Sequence, residues 1–466
     1  MWIALAGIAL HFGLSLLWPY RPSAPLFLLG VALGFGFLAL AYRKLRARNL
    51  SWRWLLVTAL LLRLVWFVQP PGLSEDAYRY LWDGMLSAQG VNPYPQAPQE
   101  LTEIQQQHSD LYSKMTHADR TSIYPPAAQF LFWANHLLWG TSVIGWKIWL
   151  LLAELLLLCF WQRWGGLQAH NLSLWLLNPL VVIEFYSSGH IDLLAVCLLT
   201  GALVLATLPG RTRQLWQPLL LSLATLIKLF PAFAAPLLIK HQGSLRASLR
   251  YGALYALGLA LPTAAFLALR GFPAASWEAF TEIVNTFRSI WRFNALPILA
   301  LDDYRLTLRP LAERVFLYGL LGIVLGPSLW RLFQLLRRQE FKQWRDWLQQ
   351  ELQPPSLESL ASSLYFILML LYVCSHTMHP WYLSWGLLVY PILGMRYWAG
   401  IYLSAASFVS YLTYWFEPPG DRLWALWLEY LPFYLLLLRD VVWEARQRAR
   451  KTGPGRAGMD RQKSQQ

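Results

Sequence analysis

The chain has 466 residues, 56% apolar and 15% aromatic, with only 14% charged, a net charge of +14 and a mean hydropathy of +0.36. This composition excludes a soluble domain: apolar runs of roughly 16 to 24 residues recur along the whole length, as expected of an all-α polytopic membrane protein with about 11–13 transmembrane helices. The positive charge is not a nucleic-acid signature, because Lys and Arg cluster at the ends of alternate apolar runs, as in basic cytoplasmic loops.

In chain order, spans are expected at 2–18, 25–42 and 54–68, the first retained because it has neither a basic leader nor a small-residue cleavage site. The connector carrying Arg43, Lys44, Arg46, Arg48 and Arg53 belongs in the cytoplasm, which sends the third span outward. It opens an external loop over 70–142. That loop begins with the first carboxylate pair, Glu75-Asp76, in SEDAYRYLWDGMLSAQGVNPYP. A helix over 77–88 would put Asp76, Arg79 or Tyr80, and Asp83 on one polar face, and Asn92-Pro93 would end it. The loop closes on Tyr124-Pro125-Pro126. The next apolar stretch, 127–139, reads as a helix lying at the external surface.

Charge bookkeeping then sends 143–161 inward, 172–186 outward to His190 and Asp192, and 191–208 back to Arg211 and Arg213. The stretch 215–239 has basic residues at both ends and is too short to cross twice. It is expected to be a pair of half-helices bent near Lys228 and Pro231, lining a polar cavity. Lys228 has no acidic residue within a dozen positions, so a ligand phosphate is its natural partner. A span at 251–269 leads to a second external segment over 271–310 with Glu282, Arg288, Arg292, Asp302 and Asp303. Spans follow at 311–330, 360–373 (ending near His376 and His379), 381–393, 399–415 and 424–438. Domains are expected at 1–53 (hairpin and basic loop), 54–395 (catalytic core), 396–438 (C-terminal helices) and 439–466 (basic cytoplasmic tail). Cys159, Cys197 and Cys374 all lie in apolar runs as structural thiols.

This topology brings five polar clusters to one membrane face: Glu75-Asp76, Tyr124-Pro-Pro, Gly189-His190-Ile191-Asp192, Arg288 with Arg292, and His376 with His379. Ionisable groups beside an apolar phase are costly, so their convergence points to a functional site. Carboxylates plus phosphate-sized cationic groups at a membrane edge suit glycosyl transfer from a lipid-phosphate sugar. A carboxylate takes the acceptor hydroxyl's proton while cations stabilise the departing phosphate. A lipid or glycan transporter or flippase is the alternative, for which the break at Lys228 would serve translocation.

The ordered set DAYRYLWDGMLSAQGVNPYP, SIYPPAAQFLF, NPLVVIEFYSSGHIDLL, LIKLFPAFAAPLL and HPWYLSW resembles the GT-C superfamily of membrane glycosyltransferases, and within it the bacterial polyprenyl-phosphate-mannose-dependent mannosyltransferases. The resemblance covers most of 54–393. It implies Asp76 as catalytic base with Glu75 as its neighbour or substitute, and Lys228 and His379 toward the donor phosphate. Arg79, Tyr80, Tyr124, His190, Asp192 and Tyr382 would lie toward sugar and acceptor. Arg288 and Arg292 are assigned to the phosphate from charge and side alone. The loop lacks the DxD of eukaryotic anchor-building mannosyltransferases, which argues against that role.

The implied partners are a polyprenyl-phosphate sugar donor, a glycolipid or glycan acceptor and membrane lipids, with no nucleic acid. The implied location is a bacterial cell membrane with the site facing outward. No cofactor is called for, since a single lipid phosphate can be neutralised by Lys228 and arginines; a divalent metal stays open.

Overall fold

The computed structural model describes residues 2–17, 24–164, 167–208, 210–271, 278, 281, 293–294, 308–337, 344–375, 377–415 and 422–452. Arg288, Arg292, His376, Glu282, Asp302 and Asp303 lie outside the described residues.

Among the described residues the regular structure is helical, with a single isolated bridge between Phe293 and Thr377. The first helices are α1 (Trp2–Leu17), α2 (Ala24–Arg46), α3 (Trp52–Phe67) and α4 (Asp76–Ala88). Two short helices, α5 (Thr102–Gln107) and α6 (Ser109–Ser113), follow in the long loop, and then α7 (Pro126–Trp139) and α8 (Val143–Trp164). Next come α9 (Ala169–Leu176), α10 (Pro179–Tyr186), α11 (Asp192–Leu205), α12 (Arg211–Ile227), α13 (Ala235–Lys240) and α14 (Leu245–Arg270). The C-terminal part holds α15 (Leu308–Arg337), α16 (Trp344–Leu352), α17 (Leu357–Cys374), α18 (Ser384–Leu387), α19 (Tyr390–Leu393), α20 (Ala399–Ala406) and α21 (Leu423–Thr452).

Five of the described helices are long and apolar enough to cross a membrane: Pro25–Arg46, Val143–Gln162, Leu245–Arg270, Pro310–Arg337 and Leu357–Cys374. The protein is therefore an all-α polytopic membrane protein. Other apolar runs fold differently from a single span. The run 172–186 is two short helices, because Asn178 caps α10 through its side chain, which accepts from the Leu180 amide at 3.0 Å, while Pro179 supplies no amide to continue α9. All of α10 is buried, so it sits in the middle of the bundle. The run 381–393 is a tight 3-10 turn at Pro380–Leu383 followed by α18 and α19, again almost wholly buried. Beyond α20 the chain tightens into a 3-10 helix, Ser407–Trp415.

A buried ionic network that the hydropathy pattern gives no sign of ties four helices together. Arg63 of α3 meets Glu154 of α8 at 2.5 Å and also donates to the Leu176 carbonyl at 2.7 Å. The same carboxylate accepts from Trp175 at 2.8 Å and from the Tyr186 hydroxyl. Every charged or polar tip in the cluster is thereby satisfied, the condition under which a buried pair is tolerated. The network anchors α10 through Tyr186, its last residue, just ahead of the turn into α11.

Helix α4 crosses α7 at very close range. A Cβ on Gly84 would lie 2.2 Å from the Phe132 carbonyl oxygen, so only glycine fits there. This contact fixes the height at which the first residue of α4, Asp76, is presented.

Candidate active site

The site is assembled where helices begin or break. Asp76 opens α4, Asp192 opens α11, and Gly189-His190 forms the turn between α10 and α11. Gly189 takes φ of +79°, and its carbonyl accepts from the Trp146 indole at 2.7 Å. α12 ends at Lys228, whose extended backbone (φ −149°, ψ 138°) releases it from the helix ahead of the Phe230–Ala234 turn. The break expected near Lys228 and Pro231 is thus where the chain bends.

These termini converge. His190 Nδ1 lies 3.6 Å from the Asp76 carboxylate, and its Nε2 lies 3.4 Å from Glu184 of α10. The Lys228 ammonium is 3.4 Å from Asp192 and faces the rings of Tyr124 at 5.8 Å and Tyr382 at 5.3 Å. Asp192 is held from its other oxygen by the Trp385 indole at 2.9 Å. A continuous stack of rings, Phe293, His379, Trp381 and His190, forms one wall, with centroid separations of 4.4, 4.3 and 3.8 Å. Tyr80 and Tyr124 pack edge to face at 5.0 Å, and Tyr80 stacks on Phe132 at 4.9 Å.

Asp76 is the one carboxylate of this group that stays reachable, with 27% of its side chain exposed. Its pKa is pushed up from 3.8 to about 6, chiefly by burial. Lys228 and Arg79 pull it back, while Asp192 and Glu75 push it further up. A carboxylate balanced in this way is ionised near neutral pH yet basic enough to accept a proton. Glu75 precedes it as the N-cap residue of α4, half-buried and without a side-chain cap bond.

Two expectations are corrected. The polar face of α4 divides: Asp76 and Tyr80 turn toward His190 and Tyr124, whereas Arg79 and Asp83 turn into the long loop. Arg79 pairs with Asp83 at 2.9 Å and donates to the Arg120 carbonyl at 2.9 Å, and Asp83 also accepts from Ser122 and Gln129. Arg79 clamps the loop in this structure, because residues at i and i+3 diverge enough for two neighbours to claim them separately. Lys228 is not alone either. Asp192, remote in sequence, reaches it across the bundle, so a ligand phosphate would join an existing pair. Sequence reasoning also missed Glu184, Trp381 and Trp385. Glu184 sits in an apolar run where a single carboxylate is itself a signal.

Residues 7–242 match the model of the MptA_B family, described as alpha-(1->6)-mannopyranosyltransferase, N-terminal domain. The chain belongs to this family. It is accordingly a membrane glycosyltransferase of the mannosyl-transferring kind, in agreement with the mannosyltransferase resemblance carried by its motifs. No curated protein and no solved structure is matched. The matched region includes Asp76, Tyr124, Glu184, His190, Asp192 and Lys228. It also takes in most of the N-terminal hairpin set apart on sequence, and it stops before His379. Among the described residues no three His, Cys, Asp or Glu side chains gather as metal ligands.

Proposed function

We propose that this mannosyltransferase uses a polyprenyl-phosphate mannose as donor and a glycolipid or glycan as acceptor, at the outer face of a bacterial cell membrane. Asp76 is the base. The acceptor hydroxyl attacks the anomeric carbon as its proton passes to the Asp76 carboxylate, and the bond from that carbon to the phosphate oxygen breaks. Lys228, steadied by Asp192, neutralises the charge that grows on the leaving phosphate, with Arg288, Arg292 and His379 as further phosphate partners. Tyr124, Tyr382 and the ring stack shape the wall against which the sugar lies, and Glu75 keeps Asp76 basic. Family membership removes the transporter alternative.

The observation that carries this reading is that a partly exposed carboxylate, Asp76, and a half-buried ammonium, Lys228, feel each other's charge at helix ends drawn from widely separated parts of the chain. The test is Asp76→Asn in purified protein, assayed with polyprenyl-phosphate mannose and a short alkyl mannoside. Loss of a positioned general base lowers turnover about 10²–10⁴-fold, with the variant folded and monodisperse. Near-normal transfer by Asp76→Asn rejects Asp76 as the base. Transfer from a nucleotide-linked mannose, with none from the lipid-linked one, rejects the donor.

A further inference from the structure

Behind Asp76 stands a second carboxylate that the reaction as written does not use. Glu184 lies wholly inside the protein, as does His190 between the two acids. The order is Asp76, then His190 Nδ1 at 3.6 Å, then from Nε2 to Glu184 at 3.4 Å, with the Tyr411 hydroxyl donating to the other Glu184 oxygen at 2.8 Å. Both imidazole nitrogens and the facing Glu184 oxygen are buried with no hydrogen bond of their own. Catalytic hydrogen bonds in ligand-free sites are often this long and tighten when substrate binds. Buried groups left unsatisfied in a well-packed interior are costly, so three in a row call for a purpose.

We propose that Glu184, acting through His190, receives the proton that Asp76 takes from the acceptor, so that Asp76 is returned to its carboxylate form within the catalytic step. The inference rests on the proposed role of Asp76 as base. The proton balance is simple. His190 begins neutral with its proton on Nε2; the acceptor proton reaches Asp76 and moves to Nδ1 as the Nε2 proton moves to Glu184. One proton has entered and one carboxylate, Glu184, has become neutral. After product leaves, the reverse shift delivers it through the exposed Asp76 to water.

Concerted transfer is needed because the imidazole cannot hold the charge: burial and the nearby Lys228 and His379 hold His190 far from its protonated form. A second acid across the ring removes that requirement. The ring stack with Trp381 keeps the imidazole plane fixed while the proton changes nitrogen. Around Glu184 the other polar and ionisable groups are Tyr411, Ser188, Asp192 and Asp76. None of them is a cation; burial, with Asp192 and Asp76 nearby, raises the Glu184 carboxyl to about 8, so the relay operates in molecules that hold Glu184 ionised, and its test is run at about pH 8.5.

The test compares turnover in H2O–D2O mixtures for the wild type, Glu184→Gln, His190→Gln and Asp76→Asn, using the same lipid-linked mannose and alkyl mannoside. The wild type should give a curved plot of rate against deuterium fraction, the mark of more than one proton in flight. Glu184→Gln should lower kcat about 10–100-fold, leave both KM values within about twofold, and give a straight plot. His190→Gln should do the same, and a variant carrying both Glu184→Gln and His190→Gln should be no slower than the slower single one. Glu184→Gln turning over at the wild-type rate, a change confined to KM, or a straight wild-type plot overturns the relay. Should Glu184→Gln fail to fold, the His190→Gln plot decides: straight supports the relay, curved sinks it. An inactive Asp76→Asn beside an unaltered Glu184→Gln ends the relay alone. An active Asp76→Asn ends the base assignment as well.

Discussion

Replacing Lys228 by Met removes the ammonium 3.4 Å from Asp192 and leaves a fully buried carboxylate with one indole donor. Breaking a buried pair from one side costs about 3–5 kcal/mol. The cost also has a ceiling, because the stranded acid can take up a proton. At pH 7 neutralising an ordinary aspartate takes about 3 pH units at about 1.4 kcal/mol each, or about 4 kcal/mol. The two routes agree, and the second makes the loss depend on pH. It should shrink by about 1.4 kcal/mol for each unit that pH is lowered toward 4. Unfolding in mixed micelles, followed through the 26 tryptophans, measures it at pH 5 and pH 7.5. Lys228→Met should be much weaker than wild type at pH 7.5 and closer to it at pH 5. Adding Asp192→Asn should restore most of the stability without restoring transfer, since the phosphate partner is still missing. Unchanged stability of Lys228→Met at pH 7.5, or no recovery in the double variant, would refute the reasoning.

The rate of transfer should rise about tenfold per pH unit below pH 6, because Asp76 must be ionised to act and its pKa lies at about 6. Glu75→Gln removes a repulsion and should shift that limb to lower pH; a shift to higher pH would contradict the sign. Gly84→Ala forces a methyl against the Phe132 carbonyl and should cost about 1–3 kcal/mol, read as a lower unfolding temperature, whereas a wild-type melt would show that α4 and α7 can part freely. Arg79→Ala leaves Asp83 buried with only Ser122 and Gln129 as donors. It should loosen the loop around Arg120, measured as faster proteolysis there, while KM for the sugar donor stays unchanged; a donor KM defect with an intact loop would return Arg79 to the site.

Much of the site was legible from residue type and charge order. Asp76, Tyr124, His190, Asp192, Lys228, His379 and Tyr382 were singled out along the chain, and they lie together in space. The break at Lys228 was also readable, because basic residues at both ends of a stretch too short to cross twice force a bend. The partners were not. Asp192 meets Lys228 across 36 positions of sequence, and Arg79 departs from Asp76 because the loop offers it two carbonyls and Asp83, one turn along α4, a carboxylate. Side-chain pairing of this kind depends on where helices cross, and hydropathy carries no information on that.

The amino-acid order alone determined that this is a helical membrane protein, because apolar length and basic loop placement are summed over local residues. It also singled out acids and a lysine beside apolar runs as candidate site residues, because ionisable groups there are costly and need partners. The tertiary structure decided which acid faces solvent and which lysine already has a partner. It also showed that Glu184 stands behind His190, since burial and distance arise only when remote helices pack.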